Sequence, residues 1–292
     1  MRIKFRGVRG SFPVSAPEYM RYGGNTSCVE VNTTDEATIL IDAGTGIREV
    51  GKEIAARTES KEVELLLSHT HWDHIQGLPH FAPLYDGDAS IRIHSLKRQA
   101  KSLRQILSHQ QRTPFFPVSL DQAAAQVEFV EHDDGDTFDI GETQITCRQL
   151  NHPTVTGGFR LEANGHSMAY VCDTDLYGET LFAQELPGEV VGDEAEARRQ
   201  VLEGTRDLCH GVDLLICDTF FLPDEYRPDF GHSSVDDALN LATETGAKCV
   251  ALYHHRPGRE DTELDAIVDR YRGQTGNDPK VIGSSEGLEI TL

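Results

Sequence analysis

Short apolar segments recur along the chain, and most of them are rich in leucine or β-branched residues. Segments of roughly four to eight such residues, bounded by polar or glycine-rich stretches, predict β-strands. The strands predicted in this way are CVEVNT, ATILIDAG, VELLLSH, SIRIHS, QVEFVE, TQITCRQL, GFRLEA, HSMAYVCD, VDLLICDT, CVALYHH and GLEITL.

Stretches with helical periodicity lie between several of these strands. They are GIREVGKEIAAR after the glycine turn DAGTG, SLKRQAKSLRQILSHQQ with leucine or isoleucine at 96, 103, 106 and 107, EAEARRQVLEGTRDL, SVDDALNLATETG and ELDAIVDRYRGQTG. The HSS sequence before SVDDALNLATETG places a serine where it can cap the first turn of that helix.

The strand-forming runs ELLL and DLLIC do not alternate with polar residues, so both of their faces must be covered. Strands come first, alternating strands and helices follow, and the two halves of the chain have a similar make-up. This order predicts an α/β protein with a four-layer αββα sandwich, two sheets inside and helices outside. We expect residues 1–292 to form a single domain, with a lid-like insert at about 95–117 that carries TPFFP at its tip.

The composition is that of a globular chain: 292 residues, of which 38% are hydrophobic and 26% are charged. The net charge of −21 argues against a nucleic-acid partner unless a local basic patch overrides it. Six cysteines without CxxC spacing favour free thiols in a reducing compartment. Without an apolar run of about 20 residues, and with no apolar segment after the basic residues at the N-terminus, we expect a cytoplasmic protein with no membrane contact.

A dense group of potential metal ligands follows the apolar run of VELLLSH. In HTHWDH, His69 and His71 project to the same side of an extended backbone. A turn after Trp72 would direct Asp73 and His74 to a neighbouring spot. One loop would then offer two imidazoles to one ion and a carboxylate with an imidazole to a second. These ligands suit zinc, and also iron or manganese.

A dinuclear site needs further ligands, and the ends of other predicted strands supply candidates. His152 follows TQITCRQL, Asp173 lies at the end of the predicted strand in AYVCDTD, and His254 lies at the end of the predicted strand in CVALYHH. His255 stands beside His254 and is the alternative at that position. Ligands at the ends of several strands would converge on one edge of the sandwich.

The order HTHWDH, NHP, CDTD and LYHH resembles the metallo-β-lactamase superfamily over nearly the whole chain. The resemblance implies one metal held by His69, His71 and His152, and a second held by Asp73, His74 and His254. It also implies that Asp173 bridges the two ions.

Within that superfamily, VDLLICDTFF, DFGHSSVDDALNLATETGAKCVALYHH and the opening GVRGSFPV resemble the phosphodiesterase branch. This branch includes tRNase Z and the phosphoribosyl cyclic phosphodiesterases, and its GHS element carries a proton-donating histidine. The resemblance therefore assigns proton donation to His232. Asp218 ends a predicted strand, and we expect its carboxylate to orient the His232 imidazole.

The expected function is hydrolysis of a small, possibly cyclic phosphodiester, with a metal-bridging hydroxide as nucleophile. Two alternatives stay open: an RNA 3′-processing endonuclease of the tRNase Z type, and a lactone or thioester hydrolase. The long basic arm of tRNase Z has no counterpart in this sequence, which favours the small substrate. Related phosphodiesterases are often dimers, so the resemblance implies a homodimer.

Overall fold

Two seven-stranded β-sheets form the centre of the computed structural model, which describes residues 1–33, 38–58, 60–178, 194–228, 230–276 and 278–292. The strands are β1 (Arg2–Gly7), β2 (Cys28–Asn32), β3 (Thr38–Ile41), β4 (Glu62–Leu66), β5 (Ser90–Leu96), β6 (Gln126–His132), β7 (Thr137–Ile140), β8 (Thr143–Gln149), β9 (Gly157–Ala163), β10 (His166–Val171), β11 (Leu214–Asp218), β12 (Cys249–Tyr253), β13 (Lys280–Gly283) and β14 (Glu289–Thr291). The first sheet has the order β14-β1-β2-β3-β4-β5-β6, and the second has the order β13-β12-β11-β10-β9-β8-β7.

Each sheet contains a block of four parallel strands, and these blocks define one functional edge. Strands β3 to β6 are parallel to their neighbours in the first sheet. Strands β10 to β13 are parallel to theirs in the second. Strand β9 is antiparallel to both β8 and β10, so β8 runs in the same direction as β10. The carboxyl ends of β8 and β10 to β13 therefore share one edge of the second sheet.

Helices cover both outer faces of the paired sheets. They are α1 (Ile47–Ala55), α2 (Trp72–Ile75), α3 (Leu103–Gln110), α4 (Glu194–Cys209), α5 (Val235–Thr245) and α6 (Asp261–Thr275), with short 3₁₀ turns at Pro17–Tyr19, Leu78–His80, Ala82–Tyr85, Leu120–Gln122 and Pro223–Glu225. One apolar core, including Phe5 and Phe159, lies between the sheets. A second core joins α1 and α3 to the first sheet, and a third joins α4, α5 and α6 to the second. This arrangement confirms the αββα sandwich.

Each segment predicted as a strand contains one, but β1, β7 and β13 were missed. In β1, the buried Ile3 and Phe5 alternate with basic residues, so the strand shows no apolar run. Strands β7 and β13 contain only two apolar residues each, so neither shows an apolar run. Two residues of the motifs quoted above, Ala37 of ATILIDAG and Asp229 of DFGHSS, lie outside the described residues.

Within the segment 95–117, the structure differs from the continuous helix that leucine spacing predicted over residues 95–111. Strand β5 extends to Leu96, and the helix begins only after Ser102, whose hydroxyl accepts a hydrogen bond from the backbone N–H of Gln105. Leu103 and Leu107 of α3 are fully buried against the first sheet. The helix is thus part of the packed outer layer, and the lid role of the segment stays a prediction. The other predicted helices are confirmed, and Ser234 caps α5 as expected.

Candidate active site

Six side chains of the candidate site lie at or just beyond the carboxyl ends of six strands. Asp42 follows β3, His69 lies just beyond β4, His152 follows β8, Asp173 follows β10, Asp218 ends β11 and His254 follows β12. All six are buried. Convergence of strand ends therefore brings together residues that are far apart in the sequence, as the sequence analysis expected.

Three of these strand ends have an unusual backbone. Asp42, Asp173 and His254 have φ angles of 62°, 54° and 61°, a left-handed conformation that residues with a Cβ rarely adopt. Such a residue costs on the order of 1–3 kcal/mol unless its surroundings hold it in place. The left-handed conformation recurs at three converging strand ends. This indicates that the contacts of these side chains at the edge outweigh the local preference of the backbone.

The first group of potential ligands consists of His69, His71, His152 and Asp173, whose ligand atoms all lie within 4.8 Å of one another. His152 Nε2 lies 3.1 Å from His71 Nδ1. Asp173 Oδ2 lies 3.5 Å from His69 Nε2 and 3.7 Å from His152 Nε2. His71 is exposed, whereas the other three are buried, so the group opens to solvent at His71.

The second group surrounds the other carboxylate oxygen of Asp173. Asp173 Oδ1 lies 3.3 Å from His74 Nε2 and 3.2 Å from His254 Nε2. Asp73 Oδ2 lies 3.3 Å and 3.1 Å from the same two nitrogens. Asp173 therefore presents one oxygen to each group, which is the arrangement that the predicted bridging role requires.

Cys172 also lies within ligand distance of the second group, a position that its sequence context did not predict. Its Sγ is 3.0 Å from Asp173 Oδ1 and belongs to a group with His74 and His254. The Cys172 side chain is part of the apolar core between the sheets, and burial raises the pKa of its thiol well above the usual value. A protonated thiol is a weak ligand, so Asp73 is the better donor.

The imidazole hydrogen bonds fit a bound metal. His74 Nδ1 lies 2.7 Å from Asp42 Oδ2, and His152 Nδ1 donates to the carbonyl of Gly231 at 2.7 Å. These partners leave each Nε2 free to bind an ion, as metal-binding histidines usually do. His69 Nε2 is buried and has no hydrogen-bond partner among the described residues. A buried nitrogen that faces a carboxylate and other imidazoles is well suited to coordinate zinc.

The electrostatics of the cluster also favour cation binding. Burial lowers the pKa of His69 well below its usual value and lowers that of His152 to about 3, which leaves both neutral. For His74, burial acts in the same direction, but the carboxylates of Asp173 and Asp73 outweigh it and raise the pKa well above the usual value. Without a metal, a proton on His74 offsets the buried negative charge, and a divalent ion would replace that proton.

His232 and Asp218 form a separate pair beside the two groups. His232 is 7% exposed, and its Nδ1 donates to Asp218 Oδ2 at 2.8 Å. The Asp218 carboxylate also accepts from the backbone N–H groups of Phe220 and Thr174, at 3.0 Å and 3.3 Å. Burial opposes protonation of His232, but Asp218 outweighs it and raises the pKa to about 9. Its ring centroid is 5.5 Å from that of His152.

The two alternatives at the end of β12, His254 and His255, have different surroundings. His255 Nε2 donates to the carbonyl of Ser284 at 2.9 Å, and its ring packs edge-on against Tyr22 at 5.6 Å. Burial lowers the pKa of His255 to about 3, so it is a neutral core residue. His254 is the member of the pair that lies in the second group.

Two residues that support the site were missed by the sequence analysis. Asp42 accepts hydrogen bonds from the hydroxyl of Tyr170 and the backbone N–H of Ser68, at 2.7 Å and 2.8 Å, while it orients His74. An aspartate after an apolar strand, in ILIDAG, resembles Asp173 in context and could have been selected by the same rule. Gly231 orients His152 through its backbone carbonyl group. A backbone contact of this kind leaves no pattern in the sequence.

A family model described as the beta-lactamase superfamily domain matches residues 37–255. The chain belongs to this superfamily. Its curated relatives include the Ribonuclease Z of Haloarcula marismortui, which is 24% identical over 324 residues, covering 99% of this chain and 96% of that protein. The Ribonuclease Z of Halobacterium salinarum is 26% identical over 313 residues, with the same coverage.

Solved structures confirm the superfamily fold at full length. The metallo-beta-lactamase fold protein YhfI from Bacillus subtilis matches with a TM-score of 0.67 and 17% identity, covering 99% of this chain and 98% of that one. A diphosphatase of the PhnP family matches with a TM-score of 0.65 and 18% identity, covering 100% of this chain and 97% of that one. Human tRNase Z, short form, matches with a TM-score of 0.63 and 18% identity, covering 100% of this chain and 99% of that one. The family match, together with relatives aligned over nearly the whole chain, supports the resemblance to the phosphodiesterase branch, and the chain is a metal-dependent hydrolase.

Proposed function

We propose that the chain is a phosphodiesterase that hydrolyses a small phosphodiester, cyclic diesters included, with His232 as the proton donor to the leaving oxygen. The residues that would hold the first ion are His69, His71 and His152, those for the second are Asp73, His74 and His254, and Asp173 would contact both. Zinc fits this set of nitrogen and oxygen donors, and manganese or iron remains the alternative.

The pairing of His232 with Asp218 carries this proposal. Two divalent ions at the site would supply a nucleophilic water near neutral pH and offset charge on the phosphate oxygens. The alkoxide that leaves phosphorus needs a proton, and a positioned imidazolium can supply it. Because His232 Nδ1 is engaged by Asp218, its Nε2 is the atom left to donate. The pKa of about 9 keeps His232 protonated at neutral pH.

RNA 3′-end processing is the second candidate, because relatives named Ribonuclease Z align with almost the whole chain. This similarity argues against the expectation that the chain has no nucleic-acid partner. The charge of −21 favours the small substrate.

Two features of the chain bear on its location. All six cysteines are free thiols, which suits a reducing compartment and supports the cytoplasm as part of the proposal. Among the described residues, no helix is long and apolar enough to cross a membrane. The homodimer expected from the resemblance stays a prediction.

The test uses metal-loaded wild type, His232→Ala and, as a control, His166→Ala, whose half-exposed imidazole lies at the start of β10, far from the site. Metal content is measured in each, with hydrolysis of bis(p-nitrophenyl) phosphate, a 3′,5′-cyclic nucleotide, a tRNA precursor transcript, a lactone and a thioester. The proposal predicts that wild type hydrolyses both small diesters. It also predicts that His232→Ala keeps its metal but loses roughly 100-fold or more in turnover of the cyclic nucleotide.

Other outcomes separate the alternatives. Cleavage of the tRNA precursor at its 3′ side without hydrolysis of either small diester would establish the second candidate. A metal-loaded protein that leaves all phosphodiesters intact but opens the lactone or thioester would overturn the phosphodiesterase proposal.

A further inference from the structure

A cleft of about 530 Å³ lies beside the candidate site, within the size range of about 300–1,000 Å³ that is usual for small-molecule sites. Two of its lining residues are Phe12 and Phe230, whose side chains are 58% and 53% exposed. Single exposed apolar residues are common, but two phenylalanines that line one cleft next to a catalytic centre present a shared apolar surface.

The cleft is joined to the catalytic residues from both sides. On one side, the backbone N–H of Ser11, adjacent to Phe12, donates to Asp73 Oδ2 at 2.7 Å. On the other side, a series of aromatic contacts runs outward from the proposed proton donor. The Phe220 ring stacks on His232 at 4.6 Å and 15°, Phe221 contacts Phe220 at 5.0 Å, and Phe230 contacts Phe221 at 6.2 Å.

The position of His232 gives this cleft its place in the reaction. A proton donor must lie within hydrogen-bond reach of the oxygen that leaves phosphorus. The leaving half of the substrate therefore extends from phosphorus towards His232. The cleft begins at Phe220, which stacks on His232, and so it is placed to receive that half.

The charge of the cleft differs from that of the whole chain. Its lining contains three arginines and two glutamates, whereas the chain has a net charge of −21. Arg259 is paired with Glu225 and Glu263, and Arg256 lies 3.4 Å from Glu225. The guanidinium of Arg227 lies over the Phe230 ring, 6.0 Å from its centroid. Among the cleft residues, positive charge thus exceeds negative charge beside an aromatic surface.

We propose that this cleft binds the leaving half of the diester and selects one that carries a planar aromatic ring together with negative charge, the chemistry of a nucleotide. Phe12 and Phe230 offer faces on which such a ring stacks. Arg227 and Arg256 lie where they can bind an anionic oxygen. The assignment rests on the proposed function, because His232 defines the leaving side.

Direct binding tests the cleft without relying on turnover. Isothermal titration calorimetry with metal-loaded protein compares AMP with ribose 5-phosphate, which has the phosphate and sugar but not the aromatic base. In wild type, AMP should bind about tenfold more tightly, since stacking of a base on an aromatic side chain contributes roughly this factor. Phe12→Ala and Phe230→Ala should each lose most of that preference, with the affinity for ribose 5-phosphate nearly unchanged.

Phe115→Ala is the matched control, because Phe115 is 63% exposed and does not line the cleft. It should keep the full preference for AMP. Arg227→Ala should weaken both ligands, since it removes charge and not a stacking face alone. Equal affinities for AMP and ribose 5-phosphate in wild type, or a preference that survives Phe12→Ala and Phe230→Ala together, would overturn the proposal.

The same experiment distinguishes failure of the cleft from failure of the proposed function. Hydrolysis of bis(p-nitrophenyl) phosphate without a preference for AMP would retain the phosphodiesterase and remove the cleft assignment. A ring preference that depends on Phe12 and Phe230, in a protein that hydrolyses no phosphodiester, would retain a nucleotide site and remove the proposed reaction. Parallel assays with a 3′,5′-cyclic mononucleotide and a tRNA precursor show whether the nucleotide is free or part of RNA.

Discussion

His232 donates from Nδ1 to the carboxylate of Asp218 across 2.8 Å, and both residues are buried. The two approach the site from different elements, Asp218 as the last residue of β11 and His232 from the segment just before α5. The contact fixes which imidazole nitrogen faces the candidate metal groups. It also holds a positive charge next to a site that would bind cations, which requires the compensating carboxylate.

Asp218→Asn should shift the alkaline limb of the pH–rate profile to lower pH. Asp218 raises the pKa of His232 from its usual 6.5 to about 9, so the protonated donor is lost in wild type as pH rises through about 9. Without the carboxylate, that loss should begin nearer neutrality. The His232–Asp218 pair also stabilises the folded state. This contribution is complete below about pH 6.5 and is lost as the pH rises through about 9. An unchanged alkaline limb of kcat/KM would show that Asp218 does not set this pKa.

Removal of metal should lower the melting temperature. A bound cation would stabilise the carboxylates of Asp73 and Asp173 and the Nε2 of His69, which has no hydrogen-bond partner in the described part of the chain. Binding to the folded state alone adds about 4 kcal/mol when free metal exceeds its Kd by about 1,000-fold. Thermal unfolding with and without a strong chelator measures the shift. The His69→Ala variant should show a smaller shift, and equal shifts in both proteins would count against the assigned site.

Adjacent histidines should respond differently to alanine substitution. His254→Ala should lose metal, because His254 Nε2 lies 3.1 Å from Asp73 Oδ2 and 3.2 Å from Asp173 Oδ1. His255→Ala should keep its metal and lose stability, by roughly 1–3 kcal/mol, since it leaves the buried carbonyl of Ser284 without its donor. Metal analysis after dialysis, with thermal unfolding of the same samples, compares the two variants. Loss of metal from His255→Ala alone would reverse the assignment.

Gly231→Ala should weaken metal binding through His152. A Cβ at Gly231 would lie 2.5 Å from His152 Nδ1, at the contact that now orients the imidazole. Gly165 is a matched control, since its φ of 76° is close to the 75° of Gly231 and, apart from its chain neighbours, no heavy atom of the described residues lies within 4 Å of its Cβ position. Both substitutions strain the backbone, by roughly 1 kcal/mol. Only Gly231→Ala should lower metal affinity, as measured by competition with a chromogenic chelator. Similar affinities in both variants would refute the steric argument.

The strands and the predicted ligands were accessible from the sequence, because they share one recognisable context. A histidine or aspartate directly after an apolar strand, as in HTHWDH and CDTD, marks a strand end at a functional edge. Asp42 has the same context in ILIDAG but stands outside the motifs and was missed. Its backbone φ of 62° depends on tertiary packing and leaves no sequence pattern.

Other features depend on approaches between distant segments. The carbonyl of Gly231 reaches His152, 79 positions away in the sequence. The cleft combines Phe12 with Phe230, which are 218 positions apart in the sequence. The predicted helix at 95–111 was wrong in extent because strand β5 takes its first residues into a parallel pairing with β6. The spacing of hydrophobic residues alone does not show whether a segment will pair as a strand or form a helix.

The most direct test of the account compares two leaving groups in metal-loaded wild type and His232→Ala. A 3′,5′-cyclic nucleotide releases an alkoxide that needs a proton, whereas bis(p-nitrophenyl) phosphate releases a stable anion that does not. The account predicts that His232→Ala, with unchanged metal content, loses roughly 100-fold or more in kcat for the cyclic nucleotide and much less for the nitrophenyl diester. Equal losses for both substrates, or no loss for either, would contradict the assignment of His232 as the proton donor.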